Sequence, residues 1–145
     1  MNTIKDLDLF FVILTGRISL VANRLLARRF KEGNIEITPE QYSVLAHLWK
    51  KNDQSQQELC SATNKDKPNI TRLIDSLEKA ELVRRSPCQS DRRVNLIHLT
   101  TKGVNLNEQA VIALQDILEH ALQGISESEL DVCKKVLRKA LANMI

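Results

Sequence analysis

The apolar period of this chain changes only over one short stretch. Hydrophobic residues recur at helical spacing as far as Ala80. Between Leu82 and Thr100 they form two short extended runs about a turn, "LVRRSP" (82–87) and "RVNLIHLT" (93–100). From Thr101 the helical spacing returns. Periodicity of this kind separates helix from strand because side chains repeat every 3.6 residues in one and every 2 in the other. The chain is thereby limited to a mainly α fold with a small β-hairpin. Its 145 residues suffice for one domain with a true core.

The helical segments carry their own punctuation. Thr3 to about Lys31 places Ile4, Leu7, Phe11, Leu14, Ile18, Val21 and Leu25 at alternating steps of three and four, a heptad-like seam. Phe10, Ile13, Leu26 and Phe30 widen the stripe, so this helix needs more than one neighbour. Gly33-Asn34 is its stop signal. "TPEQ" then opens a helix, with Thr38 as N-cap, Pro39 in the first turn and Gln41 completing a capping box. "SQQE" at 55–58 is a second box, starting a short helix to about Thr63, and "SESE" at 126–129 is a third. After the polar turn "NKDKP", Ile70, Leu73, Ile74, Leu77 and Ala80 make a 3.6-period stripe. Two short helices flanking a tight turn outline a helix-turn-helix, and with the hairpin that follows they predict a winged helix. Both ends of the chain are long apolar-faced helices.

Charge is uneven. The net charge is +3, yet Lys65–Lys102 holds nine Lys/Arg against five Asp/Glu, whereas residues 103–145 hold four against six. A local basic surface is the electrostatic footprint of nucleic-acid binding. Aromatics are 3% of the chain, too few for a base-stacking RNA platform. Lys67, Pro68, Asn69, Thr71 and Arg72 occupy the first turns of the second helix of the pair. Arg matches guanine O6 and N7, and Asn matches adenine N6 and N7, each through two bonds; Thr bonds a phosphate or touches a thymine methyl. Asp91-Arg92-Arg93 sits where the hairpin turns. Arg suits a narrow minor groove, and a neighbouring carboxylate can hold its guanidinium in a fixed fork.

Other chemistries find little purchase. The chain has no G-x-S-x-G, no Walker loop, no H-E-x-x-H and no Gly-rich cradle. His47, His98 and His120 stand apart in sequence. Cys60, Cys88 and Cys133 form no C-x-x-C, so neither metal nor cofactor is expected and the chain reads as a non-enzyme. Cys60 and Cys133 fall on apolar faces. Cys88, beside the hairpin tip, is the cysteine expected to be exposed, with Arg neighbours favouring its thiolate. The N-terminus lacks a basic region and a cleavage site, and no apolar run is expected to reach membrane-spanning length, which makes the cytoplasm the default location.

The segment "KPNITRLIDSLEKAELVRRSPCQSDRRVNLIHLTTKG" resembles the core of the MarR family of bacterial transcriptional regulators, through the helix "LIDSLEKAELVRR", the turn "DRR" and the exit "LIHLTTKG". The long first helix and two closing helices extend the likeness to the whole chain. It implies a single domain, 1–145, with dimerisation helices at 1–34 and 104–145 around a winged-helix DNA-binding region at 38–102. It further implies a homodimer on a pseudo-palindromic operator, acting as a repressor released by a small lipophilic or phenolic effector. Arg93 is then the wing probe and Asp91 its brace. Lys65, Lys67, Arg72, Arg84, Arg85 and Arg92 are the expected phosphate contacts. Leu7, Phe11 and Leu14 would meet Leu137, Leu141 and Met144 in the dimer seam, and Phe11, Tyr42 and Trp49 are the candidates for lining an effector pocket. Departures occur at "KDKPN", where small hydroxyl residues are common, and at Gln89, where proline is frequent. Two other readings stay open: a winged-helix module for a protein partner, and a redox-responsive protein acting through Cys88.

Overall fold

A computed structural model describes the backbone of residues 4–145 and the side chains of residues 10–145. Six helices and three short strands run in the order α1 (Ile4–Glu32), α2 (Pro39–Lys50), β1 (Gln54–Ser55), α3 (Gln56–Thr63), α4 (Lys67–Lys79), β2 (Val83–Pro87), β3 (Asn95–Leu99), α5 (Thr101–Ala121) and α6 (Glu127–Met144). All three expected capping boxes form, at Thr38, Ser55 and Ser126. In each, the hydroxyl accepts from the N3 backbone N–H while the N3 side chain accepts from the cap's own N–H. Asp66 caps α4 by accepting from the Asn69 N–H at 2.9 Å.

Three helix ends use left-handed residues other than glycine, and Gly124 (φ 76°) follows α5. Asn34 (φ 55°) closes α1, Asn64 (φ 53°) makes the turn between α3 and α4, and Glu81 (φ 61°) closes α4. At Glu81 the Leu82 N–H reaches the Leu77 carbonyl at 2.9 Å and the Glu81 N–H reaches that of Glu78 at 2.9 Å, the paired bonds of a Schellman motif.

The sheet has three strands in the order β1-β3-β2, all antiparallel, rather than the two expected. Gln54 and Ser55 pair with Ile97 and Leu96. Two residues carry no readable alternation, so the polar "KKNDQ" concealed the strand. Gln54 is buried, and its amide donates to the carbonyls of His47 and Lys51, capping the end of α2. The returning strand starts at Asn95, two residues later than its apolar pattern predicts, so Arg93 and Val94 belong to the tip.

One core lies between α2, α4, the sheet and the inner half of α1. Val44, Leu45, Leu48, Leu59, Ile70, Ile74, Leu77, Val83 and Ile97 are fully buried in it. Phe30, Tyr42 and Trp49 form a chain of rings with centroids 5.8 Å apart, and the Trp49 indole donates to the Gly103 carbonyl at 2.9 Å. Gly103 lets the start of α5 pass close against the chain after α4: a Cβ there would lie 2.1 Å from the Leu82 carbonyl oxygen.

The outer half of α1 and all of α6 lie outside this core. No α6 residue is buried, and Phe10, Phe11, Ile13, Leu14, Ile18 and Val21 are exposed on α1. The stretch Phe10–Glu32 is long and apolar enough to cross a bilayer by length and composition, which corrects the expectation that no run would be. Arg17, Arg24, Arg28 and Arg29 interrupt it, each costing about 2.5–3.5 kcal/mol at a bilayer centre. Its inner end is committed to protein contacts through Leu26 and Phe30 in the core and Arg29 paired with Asp116 of α5 at 2.8 Å.

Candidate nucleic-acid interface

The first half of α3, the start of α4 and the β2–β3 tip open on one groove. Ser55, Gln56, Gln57, Cys60, Lys67, Arg93, Val94 and Asn95 line it, enclosing about 250 Å³. The start of α4 and the expected wing arginine therefore face a common space.

At the tip, Arg93 is held as its spacing from Asp91 suggests. Its Nε lies 3.2 Å from Asp91 Oδ1 and its Nη2 3.4 Å from Oδ2, while its backbone N–H donates to Oδ1 at 3.0 Å. The Arg93 guanidinium, and then its N–H, hold the Asp91 carboxyl below the usual carboxylate range. The Arg93 side chain is nonetheless 91% exposed. The result is a guanidinium held by one carboxylate on one edge and open to solvent on the rest. Arg92 is exposed beside it, and Arg84 is exposed nearer the base of the hairpin, opposite His98.

On α4, Lys67 and Pro68 are exposed and Asn69 half-buried; Lys65, in the turn before it, is half-buried. Arg72 Nη2 donates to Asn69 Oδ1 at 2.7 Å and lies 3.3 Å from Glu40 of α2. Such exposed pairs contribute under about 1 kcal/mol, so both can exchange their partners for a ligand's. Thr71 is less free. It is half-buried and accepts from Gln56 Nε2 at 3.1 Å, joining the two helices of the pair.

Arg85 departs from its expected role as a phosphate contact. Strand alternation turns Arg84 and Arg85 to opposite faces. Arg85 shares the inner face with buried Val83, and its side chain is only 19% exposed. Its guanidinium spans Asp75 at 2.6 Å and Glu78 at 3.0 Å. Two carboxylates already neutralise it.

The remaining candidates are redistributed as well. Tyr42 and Trp49 pack with Phe30 against the core, and burial pushes the Tyr42 hydroxyl pKa up. Nineteen residues of helix separate Phe11 from Phe30, about 28 Å at 1.5 Å per residue, so Phe11 cannot share one subunit's pocket with the other two. Cys133, not Cys88, is the exposed cysteine; Cys60 and Cys88 are half-buried. Hydrogen bonding with the Ser90 side chain, then with the Ser90 and Asp91 backbone, holds the Cys88 thiol below its ordinary range; arginine is not the cause. Phe11, Leu14, Leu137, Leu141 and Met144 are all exposed, as an unfilled seam requires, and the Leu7 side chain lies outside the described residues.

Sequence spacing gave no sign of one cluster. His98 of β3 hydrogen-bonds Ser86 of β2 through Nε2 and Asp53 of the α2–β1 turn through Nδ1. Asn52 accepts the neighbouring Leu99 N–H at 2.9 Å. These contacts tie the base of the hairpin to the end of α2. Their partners lie 12 and 45 residues from His98, beyond any motif.

The model of the MarR family matches residues 37–94. A solved structure of the transcriptional regulator PA3341 is 32% identical, covers 92% of this chain and 97% of its own, and superposes with a TM-score of 0.79. The HTH-type transcriptional regulator MhqR of Bacillus subtilis (strain 168) is 27% identical over 141 residues, 97% of this chain and 94% of MhqR. The chain belongs to the MarR family. It is accordingly a transcriptional regulator with a winged-helix fold. A MarR mutant from E. coli, complexed with operator DNA, shares that fold at a TM-score of 0.83 and 24% identity, over 97% of this chain and 99% of the other.

Proposed function

We propose that this MarR-family chain is a homodimeric repressor that binds double-stranded DNA at a pseudo-palindromic operator in the cytoplasm. The shared groove carries the reading: Lys67 at the start of α4 and the braced Arg93 of the tip line one space. In this reading α4 enters the major groove, where Asn69 and Arg72 meet base edges. The tip places Arg93 in the adjoining minor groove. Lys65, Lys67, Arg84 and Arg92 meet phosphates. Residues 1–34 and 104–145 join the two subunits, covering the apolar faces of α1 and α6. A small apolar effector releases the complex by shifting one subunit against the other. The operator-bound fold of the E. coli relative supports this docking.

Selection of bound sequences from a random duplex library tests the reading. A palindrome with half-sites about one helical turn apart is expected. Arg93→Ala should then weaken operator binding by more than ten-fold while leaving the preferred major-groove bases unchanged. Unchanged affinity at physiological salt would remove the wing from the interface. The slope of log affinity against log salt should be steeply negative, about −0.9 for each phosphate neutralised.

A redox-responsive version of the same regulator draws on Cys88, whose thiol is held below its ordinary range at the tip itself. Peroxide should then release wild-type protein from DNA and spare Cys88→Ser. Equal release of both would discard it.

A further inference from the structure

The doublet Arg84-Arg85 presents one cation to solvent and one to the protein. Arg85 is more fully engaged within the fold than a phosphate ligand should be. Its Nη2 lies 2.6 Å from Asp75 and its Nη1 3.0 Å from Glu78, both on α4. Its Nε donates to Gln56 of α3 at 3.4 Å, and its backbone N–H donates to the same Glu78 carboxylate at 3.0 Å. Gln56 continues the network to Thr71 of α4 at 3.1 Å. Thr71, Asp75 and Glu78 follow one another at steps of four and three, so they form a single stripe along α4. One guanidinium thus ties that stripe to the strand leading into the tip.

The charges themselves need explaining. Asp75 and Glu78 lie on the helix that the DNA-binding reading places against a polyanion, where a carboxylate repels phosphate. Asp75 lines an open groove beside Lys67 and Arg72. Bidentate and bridging pairs are the arrangement in which arginine fixes geometry, and lysine, a point charge on a flexible stem, does not reproduce it.

We infer that Arg85 is a positioning residue for sequence-specific DNA binding: through Asp75, Glu78 and Gln56 it sets the angle between α4 and the tip, and it touches no phosphate. The inference rests on the DNA-binding reading above. Specific recognition needs α4 and the tip in two grooves at once. Non-specific binding needs only cations near phosphates. Loss of the clamp should therefore separate the two.

The test uses the full-length protein, the selected operator and a random duplex of equal length, each titrated over a range of salt. Arg85→Gln and Arg85→Lys should both lose at least ten-fold in operator affinity. For Arg85→Lys, which keeps the charge beside Asp75 and Glu78, affinity for random duplex should stay within two-fold of wild type, and the salt slope of both variants should match that of wild type. A residue that bound phosphate would behave otherwise: Lys would restore most of the affinity, and Gln would flatten the slope by about 0.9 for each phosphate no longer neutralised. Either result overturns the inference, as does unchanged operator affinity in both variants. Asp75→Asn provides an independent arm that keeps the Glu78 half of the clamp. Removing this carboxylate should raise random-duplex binding while lowering the operator-to-random ratio several-fold. An equal rise on both duplexes overturns the clamp. A wild-type protein that binds no duplex overturns the DNA-binding reading and this inference with it, an outcome the variants cannot mimic.

Discussion

Single side chains in this protein answer to their immediate geometry more than to their type. Gly103 is buried where the α5 entrance passes the Leu82 carbonyl, and a Cβ would stand 2.1 Å from that oxygen. Backbone cannot yield as a flexible side chain can. Gly103→Ala should cost about 1–3 kcal/mol, the usual range for overpacking, read as a lower urea midpoint at constant m. Glu81 shows the reverse. It holds φ 61° in the Schellman turn after α4, a conformation that costs a residue with a Cβ roughly 1–2 kcal/mol. Glu81→Gly should stabilise the protein by about 1 kcal/mol after glycine's own entropy loss. A lower midpoint would show that the Glu81 side chain contributes more than its backbone costs.

At the scale of elements, helix starts carry much of the local specification. The boxes at Ser55 and Ser126 satisfy backbone N–H groups that α3 and α6 would otherwise leave open. Neither helix has much core to hold it, since α3 buries only Leu59 and α6 buries nothing. Ser55→Ala and Ser126→Ala should each cost about 1 kcal/mol. The same boxes make stability depend on acid. The Ser55 N–H, then Lys51, holds Glu58 below its ordinary value of 4.5, and the Ser126 N–H and hydroxyl hold Glu129 below 4.5. A carboxyl lowered by folding stabilises fully above its unfolded value, and that stability goes as pH falls through the lowered one. Urea midpoints should drop as pH falls below about 4.5, and should drop less steeply in Glu58→Gln/Glu129→Gln. Parallel profiles would refute this origin.

At the scale of the molecule, two long helices leave apolar faces uncovered. α6 ends the fold with Val132, Val136, Leu137, Leu141 and Met144 exposed, and the outer half of α1 is equally apolar. An isolated helix of that length is marginal in water, and apolar patches of this extent mark an interface. A homodimer built from these faces predicts that Leu137→Asp/Leu141→Asp shifts the protein toward monomer in sedimentation velocity. It should also weaken operator binding far more than random-duplex binding, because two half-sites are no longer joined through one molecule. A double variant that remains a dimer at micromolar concentration would place the seam elsewhere.

Helix limits, caps and the tip were legible in the letters because each depends on bonds made within about four residues. Thr38 with Gln41, Ser55 with Glu58 and Asp91 with Arg93 are neighbours before the chain folds. Helical stripes were legible for the same reason, since spacing alone decides which side chains share a face. Distant partners were not. Arg85 meets Asp75 across 10 residues and Gln56 across 29, and His98 meets Asp53 across 45. β1 exists only because β3 returns beside it. Composition showed a basic segment, but packing decided which of its cations remain free. A guanidinium held between two carboxylates keeps its charge but has it already compensated within the fold.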